Sequence, residues 1–458
     1  MTSAQTIRSV SPQSPSDVVT EVAKVSADAA AEATAAARGA QRIWWAAGAA
    51  GRSQALAAAA ERLAGRAGEA AGLVVREVGK PAGEAAGEVA RAVAILRYYA
   101  QACFAATGQV YPPSMPGLLY TERRPHGVAG LVTPWNFPMA IPLWKAAPAL
   151  AAGNAVLLKP SSEAVGCAEL LGEVFADLVP PGLFQVVPGG AETGMAVVHN
   201  ADVVSFTGSD AVGHHIAVEA TKRGVPVQAE MGGQNAAIVL PDADPAATAA
   251  MIAGAAMGYA GQKCTATRRV IVVGDRPEMT EALVEAVRAL EPGDPAADGV
   301  AVGPVITATA RDEVVAAARE AAGASGQVLT GGDAVDGDGW FVRPAVVSGV
   351  PADHRLALEE TFGPLVLVLS APTEADAVEL ANAVPYGLVT SIHGRDASAL
   401  LAAASGVDTG MVKINAPTTG VDFYAPFGGE KDSSVGPREQ GMAALDFYAS
   451  TRTITFGG

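Results

Sequence analysis

A cysteine in a glycine-containing turn is the first residue whose surroundings could support chemistry. Cys264 closes a Gly-Gln-Lys-Cys run that follows a small-residue helix predicted over about 245–259. A thiol in such a turn can be accessible and can lie near backbone N–H groups, which favours the thiolate. The alternative is a buried structural cysteine, because free cysteine is among the most buried residue types. That alternative also suits Cys103 and Cys167, which lie in helical patterns.

Two polar side chains lie where predicted strands end. Glu230 ends a short apolar strand before Met-Gly-Gly, and Asn136 lies in a Pro-Trp-Asn-Phe-Pro turn. A glutamate in a partly apolar site has a raised pKa and can act as a general base. An asparagine amide can donate a hydrogen bond to an oxyanion. Each signal is weak alone, because strand-end glutamates are usually solvated and asparagine is common in turns.

Two strand-to-helix turns could bind a dinucleotide. The first contains Gly208 and Ser209, with Gly213 five residues after the first glycine, and Ser209 is suited to cap a helix that faces a pyrophosphate. The second follows Lys159, which places a cation and two serine hydroxyls near another helix start. Either turn could equally be an ordinary capped turn. The histidines and cysteines show no zinc-ligand spacing, so we expect no metal.

Strands and helices alternate from about residue 128 onward. Five strands are predicted in a first block, at Val128–Thr133, Ala155–Lys159, Phe184–Val187, Val203–Phe206 and Val227–Glu230. A second block, from Ala236 to about 415, has strands near Ala236–Leu240, Val270–Val273 and Leu365–Leu369. Alternation of this kind predicts an α/β fold with parallel sheets and ligands at the carboxyl ends of the strands.

The first hundred residues have a different texture. Residues 1 to about 20 are rich in Ser, Pro and Thr and predict a loose arm, whereas about 26–104 is Ala-rich and predicts several helices. Leu118–Arg123 is a candidate strand outside the main sheets.

Composition narrows the class of protein. The 458 residues carry a formal charge of −16, which disfavours nucleic acid as a partner. Three cysteines are too few and odd in number for a disulfide framework. The start lacks the apolar core of a signal peptide, and no run is long enough to span a membrane. We therefore expect a cytoplasmic enzyme with no membrane partner.

Together, in order and spacing, these motifs resemble the aldehyde dehydrogenase superfamily from about residue 20 to the end. The resemblance implies a Rossmann-type cofactor domain formed by 1–107 and 126–231, and an α/β catalytic domain over 232–430. It also implies a small oligomerisation β-element from 108–125 and 431–458, and hence a homodimer or homotetramer.

The resemblance also implies roles for individual residues. Cys264 would be the nucleophile, Glu230 the general base, Asn136 the oxyanion donor, and Lys145 belongs to a helical Trp-Lys pair counted with the catalytic residues. Glu360, in a Glu-Thr-Phe-Gly-Pro run, would hold the nicotinamide ribose. The cofactor-binding set is predicted to be Thr133, Pro134, Trp135, Lys159, Ser161, Ser162, Gly208, Ser209, Gly213, Glu360 and Phe362. The implied reaction is oxidation of an aldehyde to a free acid through a Cys264 thioester, with NAD or NADP.

Two departures from the family pattern lead to further expectations. Many NAD-preferring members carry glutamate three positions after the adenosine-site lysine, where this chain has Ser162, with Glu163 one position later. Without that carboxylate a 2′-phosphate would be repelled less, so we expect NADP to be accepted or even preferred. The chain also looks to lack most of the N-terminal β-hairpin usual in the family.

The sequences around Cys264 and over 433–441 look most like the α-ketoglutaric semialdehyde (2,5-dioxopentanoate) dehydrogenase branch. Its substrate has a carboxylate remote from the aldehyde, for which Lys263 is a candidate partner; the alternative is an outward-facing surface lysine. The predicted substrate-binding residues are Phe137, Ile141, Trp144, Lys263, Val421 and Phe427. Other aldehydes, such as succinate semialdehyde, aromatic or amino aldehydes, remain open, as does a non-catalytic protein on the same fold.

Overall fold

Two mainly parallel sheets, each flanked by helices, form most of the computed structural model, which describes residues 5–457. In chain order the strands are β1 (Thr6–Ser11), β2 (Ser14–Ala23), β3 (Val110–Tyr111), β4 (Gly117–Pro125), β5 (Val128–Val132), β6 (Ala155–Lys159), β7 (Phe184–Val186), β8 (Val203–Thr207), β9 (Val227–Glu230), β10 (Ala236–Val239), β11 (Arg269–Val273), β12 (Gln327–Thr330), β13 (Ala345–Ser348), β14 (Leu365–Ala371), β15 (Tyr386–Gly387), β16 (Val389–His393), β17 (Met411–Ile414), β18 (Glu430–Lys431), β19 (Ser434–Val435) and β20 (Ala449–Gly457).

Four helices follow the first two strands and occupy most of residues 27–102, and helices alternate with strands after that. In chain order the α-helices are α1 (Ala27–Ala46), α2 (Gly48–Gly65), α3 (Ala67–Val78), α4 (Ala82–Ala102), α5 (Ala140–Ala151), α6 (Val165–Phe175), α7 (Ala191–Asn200), α8 (Asp210–Lys222), α9 (Pro245–Met257), α10 (Pro277–Arg288), α11 (Ala308–Gly323), α12 (Arg355–Leu358), α13 (Glu374–Asn382), α14 (Ala397–Gly406) and α15 (Gly441–Phe447). None of these helices is long and apolar enough to cross a bilayer, within the part of the chain that the structure describes.

The first sheet has the strand order β19-β9-β8-β5-β6-β7. All its pairs are parallel except β19 with β9. Every residue of β5 and β8 is buried, as expected for strands covered on both faces. The carboxyl ends of β5, β6, β8 and β9 lead into the turns that carry Asn136, Lys159, Gly208 and Glu230. The sheet therefore gathers these four residues at one edge.

The second sheet has the order β12-β13-β14-β11-β10-β16-β17, with only the edge pair β12 and β13 antiparallel. All four residues of β10 and all five of β11 are buried. Cys264 lies in the connection between α9 and β11, where it lines a cavity together with Asn136 and lies within reach of the charge of Glu230. The strands predicted near 236–240, 270–273 and 365–369 are present.

A separate antiparallel sheet, ordered β20-β4-β3, contains the predicted strand over 118–123 and the C-terminal strand. Its main pair runs over nine residues from each strand, 117–125 against 449–457. The segment that we expected to belong wholly to this element, 431–458, is divided by the structure. Its β19 pairs with β9 of the first sheet, and α15 packs on α5, so only β20 joins the three-stranded sheet.

The expectation that the N-terminal hairpin is missing is wrong. β1 and β2 pair antiparallel from Thr6 opposite Ala23 to Ser11 opposite Ser14. The hairpin is anchored by the hydroxyl of Ser9, which donates to the buried carboxylate of Glu77 on α3. Its Ser- and Thr-rich strands look like a loose arm in sequence because polar hydrogen bonds, and not apolar alternation, fix them.

Candidate active site

The turn before Cys264 has an unusual backbone. After α9 ends, Tyr259 and Ala260 have φ values of 55° and 51°, and Gly261 follows at 68°. Three consecutive residues in the left-handed region are costly unless neighbouring groups hold them. Here the Tyr259 hydroxyl donates to the Val78 carbonyl at 3.0 Å, and Arg268 donates to the Gly261 carbonyl at 2.7 Å. These bonds fix the position at which the chain presents Cys264.

Cys264 lies where two cavities meet. One, of about 340 Å³, extends along the ends of β8 and β9, and the other, of about 270 Å³, is walled by α4, α5 and the segment 419–427. Among the described residues, Cys264 is the one that lines both. A reactant entering from one side and a second molecule entering from the other would therefore meet at this thiol.

The surroundings of the thiol differ from the expectation that they favour the thiolate. Burial, followed by the negative charges of Glu360 and Glu230, raises the pKa of Cys264 to about 12. The backbone N–H of Thr265 acts in the opposite direction by hydrogen bonding to the sulfur. The turn presents the thiol as predicted, but burial and the two carboxylates outweigh the hydrogen bond from Thr265.

Asn136 is buried beside the cysteine turn. Its side-chain amide nitrogen donates to the carbonyl of Gln262 at 3.0 Å, which fixes the amide next to Cys264. An amide nitrogen carries two protons, so one remains for a further acceptor. The structure thus places Asn136 where it can donate to an oxygen of a molecule bound at the thiol.

Glu230 is the last residue of β9 and is buried. One carboxylate oxygen accepts from the Ser434 hydroxyl at 2.7 Å, whereas the other has no hydrogen-bond partner within residues 5–457. Burial, reinforced by the charge of Glu439, raises the pKa of Glu230 well above that of a solvated carboxyl. A buried carboxyl with one unoccupied oxygen and a raised pKa has the properties of a general base.

Lys145 lies in a buried network and lines neither cavity. Its ammonium forms an ion pair with Glu439, both side chains being 1% exposed, and donates to the Ser205 hydroxyl at 2.8 Å. The pair neutralises a carboxylate next to Glu230. The geometry therefore indicates that Lys145 influences the charge around Glu230, and its catalytic role stays a prediction.

The larger group of predicted cofactor residues divides between the first cavity and its surroundings. The residues that line this cavity are Pro134, Trp135, Gly208, Ser209, Glu360 and Phe362, and the residues outside it are Thr133, Lys159, Ser161, Ser162 and Gly213. Within the cavity, the rings of Trp135 and Phe362 meet edge to face with centroids 5.8 Å apart. Gly213 has a packing role, because a Cβ there would lie 2.5 Å from the Met231 sulfur.

The first cavity and the strand ends beside it have features expected of a site that binds part of a dinucleotide. The buried hydroxyls of Thr133 and Thr207, at the ends of β5 and β8, have no hydrogen-bond partner among the described residues. A Cβ at Gly208 would lie 2.5 Å from the Phe206 ring, and one at Gly232 would lie 2.4 Å from Glu360. Only glycine allows backbone to approach so closely at these two positions. Unpaired donors and bare backbone at strand ends are features of a site for phosphate and ribose groups.

Glu360 lines this cavity with a buried carboxyl that is paired with Arg268. Burial raises its pKa to about 7, although Arg268, whose guanidinium is 3.3 Å away, opposes the shift. Arg268 also lies over the Phe362 ring. This buried arginine, absent from the predicted set, therefore holds both residues of the Glu-Thr-Phe run.

Two details at the turns after β6 and β8 differ from expectation. Glu163 accepts a hydrogen bond from the Ser161 hydroxyl, and its charge influences Lys159, so this subsite keeps a carboxylate despite Ser162. Ser209 occupies the N-cap of α8 but its side chain makes no capping bond. Asp210 binds the first-turn N–H instead.

The second cavity contains five of the six predicted substrate residues, namely Phe137, Trp144, Lys263, Val421 and Phe427. Ile141, the sixth, lies on α5 and lines the first cavity, together with Cys264. Lys263 is 12% exposed and forms an ion pair with Glu84 at 2.7 Å, so it is not an outward-facing surface lysine.

Sequence reasoning missed the α4 face of this cavity and five residues that line the first cavity, namely Thr207, Asp210, Met231, Gly232 and Tyr386. Glu84, Gly87, Glu88 and Arg91 follow the i, i+3, i+4, i+7 spacing that places residues on one side of a helix. That spacing is visible in the sequence, but nothing local shows which partner the face meets. Tyr386, whose hydroxyl donates to Asp210 at 3.0 Å, lines the first cavity.

The fold and site together define a class: an α/β enzyme with a dinucleotide cavity and a separate substrate cavity that share one thiol. Comparison with known proteins supports this assignment. The model of the aldehyde dehydrogenase family matches residues 1–454. The α-ketoglutaric semialdehyde dehydrogenase of Bacillus subtilis is 37% identical over 99% of this chain and 95% of its own length. The 2,5-dioxopentanoate dehydrogenase of Saccharolobus solfataricus is 35% identical over 89% and 87%.

A solved structure extends the agreement to three dimensions. The NAD-dependent aldehyde dehydrogenase of Sinorhizobium meliloti superposes with a TM-score of 0.96 at 32% identity, covering 100% of this chain and 92% of the other. The chain belongs to the aldehyde dehydrogenase family. The predictions of an α/β aldehyde dehydrogenase fold, an oxidoreductase acting on aldehydes and a nicotinamide cofactor are confirmed, as is the resemblance to α-ketoglutaric semialdehyde dehydrogenases.

Proposed function

We propose that the physiological reaction is oxidation of a carboxylated semialdehyde, such as α-ketoglutaric semialdehyde, to the free acid with NAD as the preferred cofactor. The observation that carries the proposal is the meeting of the two cavities at Cys264 with Glu230 buried beside it. The similarity to two dehydrogenases of this semialdehyde supports the substrate class.

The covalent step belongs to Cys264. Its sulfur forms a bond to the aldehyde carbon, the thiol proton leaves to solvent, and the carbonyl oxygen becomes an oxyanion. The free N–H of the Asn136 amide and the backbone N–H of Cys264 stabilise that oxyanion. Holding the carbon between the two cavities orients its hydrogen toward the first one.

A nicotinamide bound in the first cavity would accept that hydrogen as a hydride ion. Loss of the hydride would convert the bound substrate into a thioester of Cys264. Glu360 and Phe362 would hold the nicotinamide end, and Lys159 the adenosine ribose. Their positions around the cavity and at the end of β6 are compatible with these roles.

Glu230 completes the turnover. Its unoccupied carboxylate oxygen takes a proton from water, the hydroxide adds to the thioester carbon, and the C–S bond breaks to release the acid and the thiolate. A buried base of this kind favours water as the acceptor of the acyl group. The family members that transfer the acyl group to coenzyme A generally lack it, which supports a free acid as the product.

The carboxylate of Glu163 leads us to propose NAD as the better cofactor, with NADP accepted more weakly. Glu163→Gln should raise kcat/KM for NADP about 10-fold, because it removes a negative charge near the ribose subsite that would repel a 2′-phosphate. Initial rates with each cofactor measure this ratio. Glu281→Gln, an exposed charge removal on α10, should leave it unchanged. An unaltered ratio in Glu163→Gln would show that Glu163 does not face the ribose.

We further propose a homodimer or homotetramer assembled through the three-stranded sheet. Leu118 on β4 and Phe456 on β20 are 44% and 68% exposed, and Val110 on β3 is 75% exposed. Exposed apolar side chains spread over a small antiparallel sheet are typical of a surface that pairs with another subunit. All three cysteines are unpaired among the described residues, which is consistent with a reducing compartment such as the cytoplasm.

The proposed reaction is tested by following reduced nicotinamide and acid product together. Purified enzyme is incubated with NAD and a panel of 2,5-dioxopentanoate, succinate semialdehyde, benzaldehyde and an amino aldehyde. We expect the highest kcat/KM for 2,5-dioxopentanoate, with one equivalent of dicarboxylic acid formed per reduced cofactor. Preference for benzaldehyde or the amino aldehyde would contradict the substrate assignment, and no reduction with any aldehyde would contradict the activity.

A further inference from the structure

The second cavity contains four charged side chains, and three of them already have partners. Lys263 and Glu84 neutralise each other at 2.7 Å. Glu88 forms a buried ion pair with Lys80 and accepts hydrogen bonds from the backbone N–H groups of Met139 and Ala140 at the start of α5. These contacts satisfy both carboxylates and the ammonium group within the protein.

The fourth charge is Arg91, one helical turn beyond Glu88 on the same face of α4. Within residues 5–457 the partly buried Arg91 forms no ion pair and no side-chain hydrogen bond. The cavity therefore carries one uncompensated positive charge. A partly buried guanidinium without a carboxylate favours an anionic ligand, because arginine presents a planar fork of donors to an anion.

The position of Arg91 suits an anion remote from the reacting carbon. Glu84 touches Lys263, the neighbour of Cys264, and Arg91 lies seven residues further along α4, about 10 Å along the helix axis. Opposite α4 the wall is apolar, with the rings of Trp144 and Phe427 5.8 Å apart and Val421 beside them. A chain of several carbon atoms would thus lie between the thiol and the guanidinium.

We propose that Arg91, and not Lys263, binds the carboxylate of the substrate, so that Arg91 determines the preference for carboxylated semialdehydes. The inference rests on the proposed function and assigns its specificity to one side chain. Lys263 would instead keep the cavity wall in place through its bond to Glu84. Substitution of Arg91 should therefore weaken the preference for a carboxylated substrate, whereas substitution of Lys263 should not.

The test compares Arg91→Met with Lys263→Ala on two substrates of equal chain length, 2,5-dioxopentanoate and an uncharged aldehyde. Arg91→Met should raise KM for the dioxo acid about 10- to 100-fold, the usual effect of removing a hydrogen-bonded charge pair, with kcat little changed. Its kinetics on the uncharged aldehyde should stay within about 3-fold of wild type, as expected when only an electrostatic contact is lost. Arg91→Lys should restore part of the loss, and Lys263→Ala should leave the ratio of the two substrates unchanged.

Arg97→Met, a change of the same type at an exposed position of α4, is the matched control and should behave as wild type. If wild type prefers the dioxo acid and Arg91→Met keeps that preference, the inference is wrong while the proposed function stands. Equal losses on both substrates would likewise overturn it, because they indicate a role in folding. If wild type shows no preference for the charged substrate, the substrate assignment itself fails.

Discussion

Cys264→Ala should abolish aldehyde oxidation, lowering kcat by more than about 1,000-fold, because it removes the thiol that forms the covalent bond to the substrate carbon. The thiol is the residue shared by both cavities, and alanine at this position leaves both of them open. Cofactor binding should therefore survive the change. Reduced nicotinamide formation measures the first effect, and fluorescence titration with NAD measures the second.

Cys103→Ala provides the control for removal of a thiol. Cys103 is buried after α4, away from both cavities, and burial raises its pKa to about 11. This variant should keep wild-type kcat even if its unfolding temperature falls. Substantial aldehyde oxidation by Cys264→Ala, or its loss in Cys103→Ala with the fold intact, would contradict the assignment of the nucleophile.

Glu230→Gln should separate the two halves of the reaction. Removing this carboxylate removes a charge that raises the pKa of Cys264, so formation of the thioester should continue. Hydrolysis loses its base and should slow by about 100- to 10,000-fold. Stopped-flow absorbance should then show a burst close to one reduced cofactor per active site, followed by slow turnover. Glu379→Gln, an exposed change on α13, should show wild-type rates.

The pH dependence of wild type follows from the same carboxyl. A general base works in its deprotonated form, and burial together with Glu439 raises the pKa of Glu230 well above the usual range. The hydrolytic step should therefore fail as pH falls through this raised pKa, at a higher pH than for a solvated glutamate.

If Glu230→Gln loses steady-state turnover and also shows no burst of reduced cofactor, the residue acts before hydrolysis, contrary to the proposal.

The central strands and the turns of the site could be predicted because local sequence determines them. The apolar runs of β5 and β8 are buried on both faces. Strands of this composition are typical of the centre of a parallel sheet covered by helices. Asn136, Glu230 and Gly208 could be chosen as site residues because they lie at the ends of predicted strands. Ligand-binding residues of a parallel sheet collect at the carboxyl ends of its strands. Their proximity to Cys264, which lies beside the second sheet, came from the family resemblance and not from the pattern.

The features that sequence missed depend on contacts between distant segments. The β1–β2 hairpin is fixed by Glu77, Arg268 becomes a support for Glu360 only when β11 meets the Glu-Thr-Phe run, and Lys263 is neutralised by Glu84 from α4. The raised pKa of Cys264 likewise arises from carboxylates that are far away in sequence. Local propensity carries no information on such pairings. The charge and accessibility of the site residues could therefore be determined only from the three-dimensional structure.

The most direct test of the account is to trap the covalent intermediate. Glu230→Gln is mixed with NAD and 2,5-dioxopentanoate, denatured during the slow phase, and analysed by intact mass and peptide mapping. We predict a mass increase equal to the acyl group, located on the peptide that contains Cys264 and absent from the Cys264→Ala, Glu230→Gln double variant. Formation of reduced nicotinamide with the acyl group on another residue, or with an adduct that survives Cys264→Ala, would contradict the account.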